Sequence, residues 1–259
     1  TIKDIFENNN ELSKEIIESK KPMIVFGESF FKIKSASHLF NLSKKFLSKN
    51  NKLNDDWNPI NILSVDAATV GNLDLDIIDK NDKILDELHE NKFEIIFLLG
   101  QDNLDFKKKD EFIIYQGSHG DRGAEIADII LPGAAYTEQS GHYTNLEGKL
   151  QKAYKASYPP GDAKEDWQII NDLAEVMNNR KLFNDKDELE SSMFNYLKMN
   201  KDQQTSELDY EFNESNFNDE SLKVDYKDYY FSNVIARSSK TMLECNNAKI
   251  DLKKTGTDG

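Results

Sequence analysis

Three glycines spaced three apart, Gly117, Gly120 and Gly123, follow an apolar run that closes on Tyr115-Gln116. A glycine-rich loop directly after a strand is where phosphates are cradled, because backbone N–H groups reach an anion where no Cβ intervenes. The spacing Gly-x-x-Gly-x-x-Gly fits neither the dinucleotide fingerprint nor the P-loop, and no Lys-Ser/Thr pair ends it. The glycines therefore read first as turns and close packing, with a phosphate cradle as the lesser reading. Ser118, His119 and Asp121 in the same loop are the residue types of nucleophile, base and acid. Neighbours in one loop point in different directions, and triads are assembled from distant segments, so no nucleophile set is read here.

Other reactive side chains give equally bland readings. His119 and His142 flank a strand and could meet, yet no third ligand completes a metal set. Asp128 sits in an apolar run, where a carboxylate needs a partner. Arg122 is close in sequence, and an ion pair is preferred to a proton-transfer role. His38 and His89 fall on presumed helices as surface or hydrogen-bonded residues. Cys245, with no histidine near it in sequence, reads as inert. Tyr226 to Phe231 mixes aromatics with charge, a composition common at protein interfaces. Catalytic, cofactor-binding and metal-binding residues are thus each assigned as none.

The 259 residues carry 33 Lys and Arg against 47 Asp and Glu, a net charge of −14. So acidic a surface repels phosphate backbones and argues against a nucleic-acid partner. One cysteine excludes an internal disulfide. It also excludes an iron–sulfur cluster held by this chain alone, since such clusters take about four thiolates. No apolar run nears the roughly twenty residues of a membrane helix, and the first residues have no charged-then-apolar leader.

The elements that must position these residues follow a repeating rhythm. Helical spacing covers residues 2 to 19, and Met23 to Gly27 is a short apolar strand. Residues 35 to 47 read as a helix and Lys80 to Asn91 as another; Ile60 to Val65 reads as a strand, with a helix over Trp57 to Ala67 nearly as good because periodicity does not settle so short a run. Phe93 to Leu99, Glu111 to Gln116 and Ile126 to Leu131 are strands closed by Gly100, Gly117 and Pro132-Gly133. Strand, crossover, strand predicts an open parallel α/β sheet, its aliphatic strands buried on both faces. Asn145 to Gly148 is a turn between two extended pieces. Asp162-Ala163-Lys164-Glu165 reads as a capping box opening a helix through Trp167, Ile170, Leu173, Ala174 and Met177. A second helix runs from about Asp185 to Met199. Residues 200 to 225 read as an extended or disordered acidic segment, and Ser232 to Leu243 as a helix able to dock on a partner.

Several stretches also carry a family pattern. Ala127 to Glu138 (ADIILPGAAYTE) and Tyr143 to Gln151 (YTNLEGKLQ) resemble the C-terminal half of the G subunit of NADH–quinone oxidoreductase, the largest iron–sulfur subunit of respiratory complex I. Lys21 to Gly27, Trp57 to Leu75, Phe97 to Asp102, Tyr115 to Asp121, Pro159 to Trp167 and Ser238 to Met242 resemble the same family in the same order. The mitochondrial form is the nearer match.

The resemblance implies a molybdopterin oxidoreductase-like α/β domain over residues 1–180. A helix follows at 181–200, then an acidic extended segment and C-terminal docking tail at 201–259. It implies a structural role in the peripheral arm of complex I. There the chain would brace the cluster-bearing N-terminal half of the same large subunit, which is supplied as a separate polypeptide. The iron–sulfur clusters are expected in that half, and no cofactor in this chain. The implied place is the matrix side of the mitochondrial inner membrane, or the cytoplasmic face of a bacterial plasma membrane. Two alternatives stay open: part of an active molybdopterin-dependent oxidoreductase, and a free-standing dinucleotide-binding module.

Overall fold

The computed structural model describes residues 1–54, 56–79, 83–102, 104, 106–203, 212–213, 217–223 and 228–254. The chain forms two compact units. The first comprises Thr1–Asp74, Thr144–Leu150 and Met199–Asp225, the second Leu75–Tyr143, Gln151–Lys198 and Tyr226–Gly259.

In the first unit, α1 (Ile2–Phe6) and α2 (Glu11–Glu18) precede β1 (Ile24–Gly27), α3 (Glu28–Phe31), α4 (Ala36–Lys49), β2 (Ile60–Leu63) and α5 (Thr69–Asp74). β1 and β2 pair in parallel, with Ile24 opposite Ile60 and Phe26 opposite Ile62. Helix α4 buries Leu39, Ser43, Phe46 and Leu47, the stripe that a 3.6-residue period lays on one face. These residues pack with Phe6, Phe26 and Phe30. The Phe26 and Phe30 rings lie 4.6 Å apart and tilted, and Phe6 meets Phe46 at 5.9 Å. Each such side chain contributes about 1.5–3 kcal/mol by leaving water.

The single helix read over residues 2 to 19 is in fact two. Asn8 takes φ 64°, a left-handed value that no α-helix continues through. Asn10 restarts the chain, its side-chain oxygen accepting from the Leu12 amide at 3.0 Å. Asn10→Ala should therefore cost about 1 kcal/mol, read as a lower midpoint in chemical denaturation.

Of the segment read as extended or disordered, residues 200–203 are helical, 212–213 and 217–223 are also described, and the other half of 200–225 lies outside the described residues. Phe217 packs against the first unit's core. The Asn218 amide donates to Ser35 Oγ, and that hydroxyl donates to the Asn218 carbonyl, both at 2.7 Å.

The second unit holds α6 (Ile84–His89), β3 (Ile95–Leu99), β4 (Phe112–Gly117), α7 (Arg122–Ile126) and β5 (Ile129–Pro132). β4 lies between β3 and β5, parallel to both, with Leu98 opposite Tyr115 and Tyr115 opposite Ile130. The α/β class with mostly parallel strands and flanking helices is as the sequence predicted. Burial of every strand on both faces is not. Leu98, Ile113 and Tyr115 form the core, while Ile95, Leu99, Ile129 and Ile130 on the two edge strands are exposed. Ile126, expected to open β5, instead closes α7.

β6 (Gly141–Thr144) and β7 (Leu150–Ala153) make a two-stranded sheet of their own. Next come α8 (Asp166–Asn178), α9 (Lys186–Gln203), α10 (Val234–Ser238) and α11 (Lys240–Lys254). The cap of α8 is Glu165 and not Asp162. The Ala134 amide donates to the Lys164 carbonyl at 2.8 Å and the Lys164 amide to the Pro132 carbonyl at 3.2 Å. That pairing holds residue 164 extended against the end of β5, so the helix cannot begin earlier. Its buried side chains are Ile169, Asn171 and Ala174, whereas Met177, expected inside, is exposed.

Candidate functional site

In a parallel sheet, ligands bind beyond the carboxyl ends of the strands. In the second unit those ends are Gly100, at φ 62°, and Gly117, with the loop 117–123 following β4. The loop encloses the side chain of Tyr115. The buried phenol donates to the His119 carbonyl at 3.1 Å. A Cβ at Gly117 would overlap the Tyr115 oxygen. One at Gly123 would stand 2.8 Å from both the Tyr115 ring and the Gln101 carbonyl. Gly117 and Gly123 are glycine because the protein's own tyrosine fills the space above them.

A cation closes the same end. Arg237, on α10, donates from Nη2 to Asp102 Oδ1 and from Nε to Asp121 Oδ2, each at 2.7 Å. Asp102 is 6% exposed. Asp121 is the cap of α7 and also accepts from the Arg122 amide at 2.9 Å. Burial raises the Asp121 carboxyl, but the hydrogen bonds and charges of Arg237 and Arg122 outweigh it and leave it below its ordinary range. Burial likewise opposes the Arg237 charge, and the hydrogen bonds and charges of the two aspartates reverse that and raise it. Tyr115 is pushed up first by burial, then by the Asp102 and Asp121 charges. Both shifts favour the charged forms of Asp121 and Arg237.

A second polar cluster stands where α8 begins. Asp166 accepts from buried Gln116 Nε2 and from Gln139 Nε2, both at 2.8 Å. Buried Glu165 takes Lys155 at 3.1 Å, Lys186 at 2.5 Å and the Trp167 indole N–H at 3.2 Å. Burial raises the Glu165 carboxyl, and the two lysines more than reverse this, holding it below the usual range. Two cations on one carboxylate, with no open position, anchor a helix start better than they move a proton.

The reactive side chains singled out in the sequence are mostly not brought together. Ser118 Oγ and His119 Nδ1 lie 2.9 Å apart, but Asp121 is committed to Arg237, so no triad forms. His142 packs edge-on against Phe194 at 5.4 Å. Among the described residues no group of three or more His, Cys, Asp or Glu could hold a metal. The cation on Asp128 is Lys108, at 2.6 Å, and not Arg122, and Asp128 also accepts from the Ile113 amide at 2.8 Å. These two bonds, the backbone one first, lower its pKa. His38 is buried in the first unit beside Phe212 and Phe217; His89 ends α6, exposed. Cys245 is exposed on α11. Of the aromatic stretch, Tyr226 and Lys227 lie outside the described residues, and Tyr229 is largely exposed. Sequence reasoning missed Asp102 and Arg237 as partners.

Residues 1–176 match the family model described as molybdopterin oxidoreductase. The chain belongs to that family. Residues 188–245 match the model for the C-terminal region of the NADH-ubiquinone oxidoreductase G subunit, so the resemblance read from the sequence holds across both regions. The chain is similar to the NADH-ubiquinone oxidoreductase 75 kDa subunit of Reclinomonas americana, 34% identical over 95% of this chain and 37% of that protein. It is similar to the mitochondrial 78 kDa subunit of Candida albicans, 35% identical over 90% of this chain and 34% of that protein. The NADH-quinone oxidoreductase G subunit of Rickettsia typhi is 38% identical over 98% of this chain and 37% of that protein. The chain spans a little over a third of the length of these relatives.

The family implies a molybdopterin cofactor, whose phosphate needs an open cradle of N–H donors and whose metal is held through sulfur. The sheet end of this molybdopterin oxidoreductase-family chain does not fit such a group. Tyr115 fills the glycine loop, the carboxylates Asp102 and Asp121 at the same end would repel a phosphate, and the thiol of Cys245 lies exposed on α11.

Proposed function

We propose that the chain is a structural, C-terminal part of the large iron–sulfur subunit of complex I. It braces the cluster-bearing N-terminal part within the peripheral arm and binds no redox centre itself. The observation that carries this reading is the sheet end filled from within by Tyr115 and closed by Arg237. A domain of this family with that site filled keeps its shape as its usable property. The similarity to named complex I subunits supplies the assembly. Exposed apolar residues on the strands, such as Ile95, Leu99 and Ile130 in one unit and Val25 and Leu63 in the other, are surfaces that a neighbouring chain covers.

The partners are the iron–sulfur part of the same subunit and other peripheral-arm subunits, and the net charge of −14 weighs against nucleic acid. The place is the matrix side of the mitochondrial inner membrane, or its bacterial counterpart. Among the described residues no helix is long and apolar enough to cross a membrane, as a peripheral-arm position requires.

Metal analysis of the purified chain and of its native assembly tests the reading. Iron should follow the assembly and leave the isolated chain free of stoichiometric iron or molybdenum. Molybdenum and extractable pterin travelling with the chain would replace this proposal with an active molybdopterin enzyme.

A further inference from the structure

The carboxyl end of β3–β4–β5 already has an occupant, and it comes from the far end of the chain. We propose that Arg237 is the resident ligand of this sheet end, latching α10 and the start of α11 onto it, and that the latch excludes an anionic, pyrophosphate-bearing ligand. This goes beyond the bracing role and does not depend on it.

The chemistry of the site selects a guanidinium. Asp102 and Asp121 are acceptors only, and the Phe231 carbonyl, 3.5 Å from Nη1, adds a third acceptor. Nε and Nη2 reach two different carboxylates at once, which a planar fork does and a point-charge ammonium does not. Side-chain exposures of 8% for Asp102, 23% for Arg237 and 24% for Asp121 take these pairs out of the screened surface class. A phosphate in the same place would meet two carboxylates and the Tyr115 ring.

The latch also explains why α10 is where it is. At five residues it is too short to be stable alone. Its side-chain bonds beyond its own neighbourhood run through Arg237, to residues 116 and 135 positions away. Arg237 lies in the region matched by the NADH-ubiquinone oxidoreductase model, and both aspartates lie in the region matched by the molybdopterin oxidoreductase model. One side chain therefore ties the two regions together at the place where other folds of this class hold a ligand.

Hydrogen exchange on the whole chain, with Arg237→Ala, Arg237→Lys and Asp121→Asn, tests the latch. In Arg237→Ala, amides of 234–243 and 118–123 should exchange at least about tenfold faster, with 113–116 in the core of β4 unchanged. Arg237→Lys and Asp121→Asn should fall between that variant and the parent. Calorimetry with inorganic pyrophosphate should give no binding to the parent chain. Unchanged exchange at 234–243 in Arg237→Ala would overturn the latch. So would a uniform rise that includes 113–116, which would make Arg237 a general stabiliser. Pyrophosphate binding that slows exchange at 117–123 would overturn the exclusion.

Discussion

Gly117→Ala is expected to destabilise the second unit by about 3 kcal/mol, the upper end for overpacking. The new methyl would overlap the Tyr115 oxygen and the ring carbon that bears it, and would stand 2.8 Å from the adjacent ring carbon Cε1. A flexible side chain could swing aside, but Tyr115 is 2% exposed, sits in the middle of three strands and is tied to the His119 carbonyl. Gly117 does not have a positive φ, so backbone conformation adds nothing to the cost and the collision is the whole effect. That gives the prediction a sharp control. In a Tyr115→Leu background the nearest atoms are gone, and the added cost of Gly117→Ala should fall well below half. The measurement is a double-mutant cycle by denaturation. Additive costs would mean that the glycine is required for some reason other than the tyrosine.

The same loop shows how far the sequence could be read. Gly117, Gly120 and Gly123 stood out because glycine is rare elsewhere in the chain, and a strand before them was legible over Glu111 to Gln116. What filled the loop was not legible, since a tyrosine two residues before a glycine looks like any strand residue. Phe93 to Leu99 was legible as a strand because an apolar run of that length closed by glycine has few other uses. Its exposure was not, because apolar sequence reports what could be buried and not what covers it.

Asp102, Asp121 and Arg237 each lay in a stretch carrying the family pattern or directly beside one. Their partnership needed the fold, since loops and a late helix converge there across more than a hundred residues. The cap of α8 failed for a different reason. Asp162 and Glu165 have the spacing of a capping box, but pairing of residue 164 with the end of β5 decided which of them starts the helix.

Glu165→Ala is expected to cost the second unit about 2–3 kcal/mol at pH 7. This lies just below the roughly 3–5 kcal/mol for breaking a fully buried pair, because Lys155 is about one-third exposed and water screens it. Two ammonium groups would lose their shared counter-ion, and the Trp167 N–H would lose its acceptor. The pH dependence has a fixed sign. The Glu165 carboxyl is lowered in the folded state. The stability it contributes is therefore fully present above the unfolded value of about 4.3 and is lost as pH falls through the lowered folded value. The gap between parent and variant should stay constant from pH 7 to about 5, then narrow steadily as the parent's own carboxylate takes up a proton. Glu165→Gln keeps the shape and an acceptor for Trp167 but not the charge, so its gap at pH 7 should be smaller than that of Glu165→Ala. Denaturant titrations at four or five pH values measure all three chains. A gap that persisted unchanged at pH 3 would place the role of Glu165 in packing and not in its two lysines.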